Sequence, residues 1–405
     1  MVKLMKCYDS CRLFGAYQAI SGIKDNVVLL HSVVGCNFGT MGFHLTRDMS
    51  DMRQSCTVVS DKNIIFNGES SLREAIDNAI ELYDPKSITI ISGCVSSIIG
   101  DDIAGVLSCY KHILQIYYIE GAGFKGKLEG GYEDALLELA KNLVFKEDKF
   151  NNPCINLLGL NYDDFKLEED IEEIKRILGN KVEIICVTAD CTIEEFSNMG
   201  KAHLNIVFKR GRKLAEFLKS NNGIEYLEMD YPYGIKGAND LLDAVGNFFD
   251  IDFEAEKNIM MTQTLKRMKK AYGYLQSFYG LPICIFGQEG RAIGLKRFLE
   301  EELGMDVVCL GINEEGFVME DFIEKVYESD AALVFGSSFE GDIADRLEIP
   351  LIRYHYPVFD RISISDTPYL GGRGAVNIVE DILHYVVDGR KNKGALYNEE
   401  DLCLR

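Results

Sequence analysis

The stretch NVVLLHSVVGCNFGTM, residues 26–41, indicates the fold class of the chain. It opens with a run of large apolar and β-branched residues that lacks polar alternation. This pattern is typical of a strand buried on both faces of a parallel sheet. The run leads to Gly35 and Cys36 and then to a loop of small and polar residues. We therefore expect a buried strand that ends at Cys36, in a glycine-flanked turn.

The same order of apolar strand, turn and amphipathic helix recurs along the whole chain. Strands that are apolar on both faces and alternate with helices predict parallel sheets covered on both sides. Three such blocks predict an α/β fold of three Rossmann-like, doubly wound domains, over residues 1–150, 151–252 and 253–405. The strands are expected at 26–31, 87–93, 115–121, 155–160, 182–187, 203–208, 225–230, 282–287, 306–311, 331–336 and 350–355. The helices are expected near 70–83, 97–109, 131–144, 166–178, 211–220, 237–249, 253–279, 289–303, 319–328 and 374–387.

Composition narrows the classes of function. The 405 residues carry a formal net charge of −21, which argues against nucleic acid as a partner, because phosphate backbones need a basic surface. The sequence contains no run of about 18 uninterrupted apolar residues, and its start, MVKLMKCYDSCRLF, does not read as a secretory signal. We therefore expect a cytoplasmic protein without a membrane span. Its 12 cysteines are expected to be reduced thiols.

Three cysteines stand at similar places relative to the predicted elements. Cys11 precedes a predicted helix, whereas Cys36 and Cys94 each follow a glycine at the end of a predicted strand. Gly35 and Gly93 allow a sharp backbone bend and the close approach of a bulky ligand. Helices that begin just after the cysteines point backbone N–H groups and a positive dipole end at the thiols. This field is expected to lower the pKa of the thiols.

Residue types and spacing alone leave the role of these thiols open. Three thiolates from separate loops suit an iron–sulfur cluster, which normally takes four protein ligands, but zinc fits as well because the chain has no CxxC pair. A nucleophilic cysteine is less favoured, since no histidine stands in an obvious position to act as its base. The fourth ligand of a cluster is either local, from Cys7 or Cys56, or comes from a partner chain, which we favour.

The order of motifs along the chain resembles that of the nitrogenase component 1 superfamily, and most of all its β-type chains. The matching segments are VVLLHSVVGC, SDKNIIFNGESSLREAI, ISGCVSSIIGDDI, GFKGKLEGGYEDAL and, near the end, YPVFDR followed by YLGGRGA. The resemblance covers almost the whole chain. It implies that residues 1–150 bind an iron–sulfur cluster through Cys11, Cys36 and Cys94. It also implies that this cluster lies at the seam with a homologous chain, which supplies the remaining ligands.

Three positions carry information about which relative this chain is. Gly123 stands where nitrogenase β-chains have a serine beside an eight-iron cluster, so the resemblance favours a simpler [4Fe-4S] cluster here. Lys209 stands where α-chains have the cysteine that anchors the active-site metal cofactor, so such a cofactor is not expected to be held by a cysteine. His355 lies near the α-chain's histidine ligand, but the β-type ending PVFDR favours a structural or pocket role for it.

The resemblance implies two functions. In the first, the chain is a subunit of a nitrogenase-like oxidoreductase and relays electrons from an ATP-dependent iron–sulfur reductase homodimer to a substrate or metallocofactor site. In the second, it is a subunit of a scaffold that holds a metallocluster precursor during assembly. The partner is a homologous α-type chain, giving a heterotetramer, or a second copy of this chain. The general alternative is an α/β binding or transferase protein with incidental thiols. The sequence assigns no catalytic residue and does not choose a substrate.

Two charged motifs also have a structural and a functional interpretation. Asp101 and Asp102 follow Gly100 and are interpreted either as ordinary acidic residues in the first turn of a helix or as a metal site. The tract KRGRK, residues 209–213, is interpreted either as a solvated helix face or as the lining of a cavity for an anionic substrate or cofactor. We favour the structural interpretation of both motifs.

Overall fold

The structure is a computed structural model that describes residues 10–42, 53–313 and 317–392, and only the backbone of residues 386–392. Cys7 lies outside the described residues. The chain divides into two compact units. One unit contains residues 10–164 and 182–229, and the other contains residues 165–181 and 230–392.

Three four-stranded parallel sheets lie within the described residues. The strands are β1 (Asn26–His31), β2 (Gln54–Cys56), β3 (Ser87–Ser92), β4 (Gln115–Glu120), β5 (Cys154–Leu158), β6 (Glu183–Val187), β7 (Leu204–Val207), β8 (Glu225–Glu228), β9 (Pro282–Gly287), β10 (Asp306–Ile312), β11 (Leu333–Gly336) and β12 (Leu351–Arg353). Their orders are β2-β1-β3-β4, β6-β5-β7-β8 and β10-β9-β11-β12. All three sheets therefore share one doubly wound topology, in which the chain turns back after the second strand.

Helices connect the strands within both units. In the first unit they are α1 (Arg12–Ile20), α2 (Val34–Gly42), α3 (Asp61–Phe66), α4 (Glu69–Tyr83), α5 (Cys94–Ile99), α6 (Ile103–Ser108), α7 (Leu128–Leu143), α9 (Ile193–Asn198) and α10 (Arg212–Asn222). In the second unit they are α8 (Leu167–Leu178), α11 (Gly234–Phe249), α12 (Glu254–Met268), α13 (Tyr272–Leu275), α14 (Glu289–Glu301), α15 (Met319–Glu328), α16 (Gly341–Leu347) and α17 (Gly371–Asn392). In the described part of the chain, no helix combines the length and apolar character needed to cross a membrane.

The predicted fold class is confirmed, and the central strands explain why the prediction was possible. β1, β3, β5 and β11 are buried along their whole length. A strand whose two faces are both buried must be apolar on both faces, so it appears in the sequence as an unbroken apolar run. The edge strands β4, β8 and β10 are partly exposed, yet they keep enough apolar residues to have been recognised.

Local details differ from the predictions at several points. The first strand spans Asn26–His31, as one prediction had it, whereas the prediction that it ends at Cys36 is wrong, because Cys36 lies in the first turn of α2. The single helix expected near 97–109 is two helices, because Gly100 adopts a left-handed conformation at φ 76° and Asp102 caps a new helix by accepting from the N–H of Gly105 at 2.8 Å. The short edge strand β2 was not predicted.

Helices α1 and α7 pack backbone against backbone through two glycines. A β-carbon built at Gly15 would lie 1.7 Å from the carbonyl oxygen of Leu128, and one built at Gly131 would lie 2.0 Å from that of Arg12. Neither position therefore accepts a side chain unless the helices move apart. This close contact holds the start of α1 against the segment that precedes α7, which matters for the position of Cys11.

Candidate functional site

In this topology, the carboxyl edge of the first sheet is a position at which ligands commonly bind. In a doubly wound sheet, ligands bind beyond the carboxyl ends of the two strands between which the chain reverses its direction of winding. In the first sheet these two strands are β1 and β3, which end at His31 and Ser92. Cys36 and Cys94 follow these two neighbouring strands, so both stand at the switch point.

Cys94 is the first residue of α5 and follows Gly93, which caps that helix with extended backbone. The backbone N–H of Gly123 donates to the sulfur of Cys94 at 3.1 Å. Gly123 begins a short 3₁₀ turn that ends at Lys125, just after β4. Cys94 and Gly123 therefore lie together, one after each of the neighbouring strands β3 and β4.

Cys11 reaches the same place from the start of α1. It is the N-cap residue of α1, in extended conformation, and forms an isolated antiparallel bridge with Lys127. The N–H of the next residue, Arg12, donates to the carbonyl of Gly126 at 3.1 Å, and the Arg12 side chain donates to the carbonyl of Glu120 at 2.8 Å. These contacts fasten the start of α1 to the loop between β4 and α7.

Gly123 brings the thiols of Cys11 and Cys94 together. A β-carbon built at Gly123 would lie 3.2 Å from the sulfur of Cys11 and 3.3 Å from the sulfur of Cys94. The two sulfur atoms are therefore separated by no more than the sum of these two distances. The same β-carbon would lie only 2.7 Å from the β-carbon of Cys11, so a side chain at Gly123 would displace Cys11.

Cys36 lies near the other two thiols, and its pKa responds to them. Burial raises the pKa of the Cys36 thiol above its ordinary value, and the charges of Cys11 and Cys94 add to that rise. The hydroxyl of Ser32 opposes it in part, although this hydroxyl forms no hydrogen bond of good geometry. The expected lowering of the pKa by the helix field is therefore wrong for Cys36. Desolvation of the buried thiolate is the largest cause of this rise.

The two glycines that precede thiols differ in their surroundings. A β-carbon built at Gly93 would lie 2.1 Å from the hydroxyl oxygen of Ser32, so close packing requires glycine there. A β-carbon built at Gly35 would meet no atom within 4 Å. Neither glycine has a positive φ. Gly35 and Gly93 therefore do not use the left-handed conformation that favours glycine, and Gly35 borders open space beside Cys36.

Exposed apolar side chains lie on the elements that carry the thiols and on a helix that contacts one of them. Phe38 on α2, the helix that carries Cys36, is 78% exposed, and Phe124 beside Gly123 is also exposed. Helix α3 packs beside α5 and presents a further group of exposed apolar residues. We call this surface the apolar rim, and its members are Val34, Phe38, Ile64, Ile65, Phe66, Ile98 and Phe124.

A buried histidine–aspartate pair lies behind the site and was not predicted as a pair. His31, the last residue of β1, contacts Asp101 through Nε2 at 2.9 Å and Thr57 through Nδ1 at 3.0 Å, and the side chains of His31 and Asp101 are fully buried. Asp101 also accepts from the N–H of Gly68 at 2.7 Å. Burial lowers the pKa of His31, with Asp101 opposing that shift. Asp101 is thus a structural acceptor, but it lies between α5 and α6 and not in the first turn of a helix, so the favoured interpretation was right about a structural role and wrong about its form.

The tract KRGRK is not a uniform solvated face, because Arg210 points inward. Arg210 is 5% exposed, and its guanidinium lies 3.7 Å from the centre of the Tyr132 ring. It donates to Glu129 at 2.8 Å and to Gln18 at 3.1 Å, and it also donates to Asn161. The isolated sequence did not signal this burial, since nothing local distinguishes Arg210 from its neighbours.

The rest of the tract is neutralised by carboxylates. Glu133 accepts from the backbone N–H groups of Gly211 and Lys213 at the start of α10, at 2.5 and 2.9 Å. Lys209, at the position that the resemblance compares with an α-chain cysteine, forms an ion pair of 3.3 Å with Glu228. These contacts therefore stabilise the segment that joins β7 to α10.

His355 lies in a buried aromatic group of the other unit. It is 1% exposed, and its ring centre lies 4.9 Å from that of Tyr354 and 6.1 Å from that of Phe286. This packing fits the structural role that the sequence favoured. Among the described residues, no three His, Cys, Asp or Glu side chains are arranged to hold a single metal ion.

The fold and the site together define an α/β protein of three doubly wound sheets with a group of thiols at the carboxyl edge of the first sheet. The model of the nitrogenase component 1 type oxidoreductase family matches residues 11–386. The chain belongs to this family, which confirms the family expected from the motifs.

Known members of the family are similar to this chain over most of its length. The nitrogenase molybdenum-iron protein beta chain of Methanococcus maripaludis is 26% identical over an alignment of 447 residues, gaps included, that covers 94% of this chain and 93% of that protein. A chain of the light-independent protochlorophyllide reductase of Heliobacterium modesticaldum is 26% identical over 405 residues, covering 93% of this chain and 77% of that protein. The nitrogenase iron-molybdenum cofactor biosynthesis protein NifE of Methanosarcina barkeri is 27% identical over 332 residues, covering 75% and 69%.

A solved structure described as nitrogenase Cp1 at pH 6.5 has the same fold. It superposes with a TM-score of 0.80 at 18% sequence identity, and the match covers 97% of this chain and 94% of that one.

Proposed function

We propose that this chain is the iron–sulfur-binding subunit of a nitrogenase-like, two-component reductase. It relays electrons from an ATP-dependent reductase homodimer to a substrate or metallocofactor site. The observation that carries the proposal is that Cys11 and Cys94 meet at Gly123 and that Cys36 lies close enough to both for their charges to raise its pKa. The thiols come from three separate segments of the chain, so their meeting is a property of the fold.

The donor set fits an iron–sulfur cluster. Thiolates are the usual ligands of such clusters, and each one ligates a different iron atom, so the sulfur atoms need not converge on one point as ligands of a single ion do. The absence of a side chain at Gly123 leaves the space between Cys11 and Cys94 free of protein atoms that a larger residue would introduce. When bound, the cluster supplies one-electron transfer.

The protein residues around the thiols orient them and adjust their electrostatics. The N–H of Gly123 donates to the sulfur of Cys94, and hydrogen bonds to ligand sulfurs are one of the means by which proteins set a cluster's reduction potential. Arg12, next to Cys11, donates to Asp134, which holds the start of α1 in place. Without these contacts Cys94 and Cys11 would no longer be held in fixed positions.

The apolar rim supports an assembly in which another protein chain covers the thiols. Exposed apolar side chains at this density usually mark protein–protein contacts. A homologous α-type chain or a second copy of this chain would bury the rim, exclude water from the cluster and supply any ligand that this chain does not provide. The chain contains no GxxxxGK[S/T] phosphate loop, so the proposal assigns ATP hydrolysis to the separate reductase component.

The alternative function is that of a scaffold subunit for cofactor assembly. The similarity to the NifE protein of Methanosarcina barkeri supports this alternative. Lys209 is also compatible with it, because a lysine paired with Glu228 does not anchor a finished cofactor as a thiolate would. In this function the same thiols would hold a metallocluster while another system changes it.

One experiment separates the two functions. The chain is purified anaerobically with a homologous chain and a reductase homodimer from the same organism, and ATP hydrolysis, substrate turnover and metal content are followed together. The reductase function predicts ATP-dependent consumption of an added substrate. If ATP is consumed while only a bound metallocluster changes, the scaffold function is correct. If the purified chain contains no iron and no acid-labile sulfide even after reconstitution, both functions are wrong.

A further inference from the structure

A fourth cysteine lies at the same edge of the first sheet as the three thiols described above. Cys56 is the last residue of β2 and stands opposite Leu30 of β1, which in turn pairs with Ile91 of β3. Leu30 and Ile91 belong to the buried core on the α1 side of the sheet, and Cys56 and Cys11 both pack against that core. The side chain of Cys56 is therefore on the face of the sheet that carries α1.

Cys56 is a neighbour of Cys36 and not an isolated thiol. Its thiol donates to the carbonyl oxygen of Ser32 at 3.5 Å. Ser32 is also the residue whose hydroxyl faces Cys36 and whose side chain packs against Gly93, just before Cys94. Ser32, which directly follows β1, is therefore close to Cys36, to Cys56 and to the glycine that precedes Cys94.

The backbone after Cys56 turns so that an N–H group points at the Cys56 sulfur. Val58 has φ 48°, a left-handed conformation that is rare for a β-branched residue. In this conformation its N–H donates to the sulfur of Cys56 at 3.4 Å. The N–H of Gly123 makes the same kind of contact to the sulfur of Cys94, and hydrogen bonds to ligand sulfurs are common at iron–sulfur clusters. Cys56 is also only half-buried, as are the three thiols of the site, whereas cysteines such as Cys154 are sealed in the core.

We infer that Cys56 supplies the fourth thiolate to the iron–sulfur cluster of the isolated chain. The inference rests on the proposed function, because it concerns the same cluster. Cys56 would release its proton to solvent as it binds an iron atom of the formed cluster, and this ligation step changes no oxidation state. The resemblance led us to expect the fourth ligand from a partner chain. Cys56 would instead allow this chain to complete the coordination of a four-iron cluster before it meets a partner.

The first test compares two alanine variants of the full chain, purified alone and reconstituted anaerobically with iron and sulfide. Cys56→Ala is expected to lose one iron per chain relative to wild type and to show a changed electron paramagnetic resonance spectrum, because a cluster that lacks one protein ligand readily loses that iron. Cys109→Ala removes an exposed thiol just after α6 and is expected to match wild type in both measurements. Identical iron content and spectra for Cys56→Ala and wild type would overturn the inference.

The second test needs no substitution and therefore does not depend on the folding of a variant. The loaded and the metal-free wild-type chains are treated with iodoacetamide under anaerobic conditions, and the modified cysteines are located by mass spectrometry. Cys56 is expected to be labelled in the metal-free chain and protected in the loaded chain, as Cys94 is. Equal labelling of Cys56 in both states, with Cys94 protected only in the loaded state, would contradict the inference and leave the proposed function intact. Failure of wild type to bind iron at all would contradict both.

Discussion

Gly123 and Cys94 are joined by a hydrogen bond of 3.1 Å, in which the backbone N–H of Gly123 donates to the thiol sulfur. The same glycine leaves room for Cys11, whose β-carbon lies 2.7 Å from where a side chain at Gly123 would begin. From the sequence, Gly123 was notable only because nitrogenase β-chains have a serine there. In the structure it contacts Cys94 and leaves the space that Cys11 occupies.

Replacing Gly123 by alanine should disturb the thiol site without unfolding the chain. The added methyl group would collide with Cys11 and push the two sulfurs apart, so we expect iron to be retained about tenfold or more weakly against a chelator, as with other changes beside metal ligands. Iron release from the reconstituted chain measures this. Gly130→Ala on α7 is the control, because a β-carbon there meets no atom within 4 Å. Equal iron retention by the two variants would show that Gly123 has no role in spacing the thiols.

The adjacent acids Asp101 and Asp102 should differ in their importance for stability. Asp101→Ala leaves His31 and the N–H of Gly68 buried without their acceptor, which should cost about 3–5 kcal/mol in the free energy of unfolding. Asp102→Ala removes only the cap of α6 and should cost about 1 kcal/mol. Urea titration of the metal-free chains measures both values. A loss for Asp101→Ala no larger than that for Asp102→Ala would contradict the structural role of the pair.

The lowered pKa of His31 predicts how stability changes with pH. The folded chain keeps His31 neutral at a pH where the unfolded chain, with an ordinary histidine pKa of about 6.5, already binds a proton. Stability from this residue is therefore complete above about pH 6.5 and is lost as the pH falls below that value. The urea midpoint of wild type should fall between pH 7.5 and 5.5, and that of His31→Gln should fall less. Parallel profiles for the two chains would exclude His31 as the source.

Within the basic tract, only Arg210 should be needed for folding. Arg210→Ala leaves the buried acceptors of Gln18 and Asn161 without their donor and removes the cation above Tyr132, which should cost about 2–4 kcal/mol in the free energy of unfolding. Arg212→Ala, two residues further along, removes an exposed side chain and should not differ measurably from wild type. Circular dichroism during urea titration compares them. A large effect of Arg212→Ala with none for Arg210→Ala would reverse the assignment.

Most of the fold was predictable because burial on both faces of a strand leaves a strong pattern in the sequence. The central strands β1, β3 and β5 are apolar throughout, and their amphipathic connecting helices follow at once. The strand β2 escaped prediction because it is a three-residue edge strand, Gln54–Cys56, with two polar members. The pairing that makes it a strand comes from β1, and no local signal in the sequence reports a pairing.

The sequence singled out the three cysteines, but it could not show how close they lie to one another. Cys11, Cys36 and Cys94 stand out because each lies beside a predicted helix, but their meeting depends on contacts between distant segments. Cys11 reaches the site because α1 and α7 touch through two glycines, and Gly15 looks like any other glycine in the sequence. Cys36 was placed at a strand end because the residues after His31 continue the apolar run, whereas the chain turns there into a helix.

We propose that Cys11, Cys36 and Cys94 bind one iron–sulfur cluster. The most direct measurement is the iron and acid-labile sulfide content of the full chain after anaerobic reconstitution, together with the electron paramagnetic resonance spectrum of its reduced form. Wild type and Cys109→Ala should contain equal amounts of iron and sulfide and give the same signal, whereas Cys94→Ala should lose both the metal and the signal. Cys94→Ala with unchanged iron, sulfide and spectrum would contradict the claim.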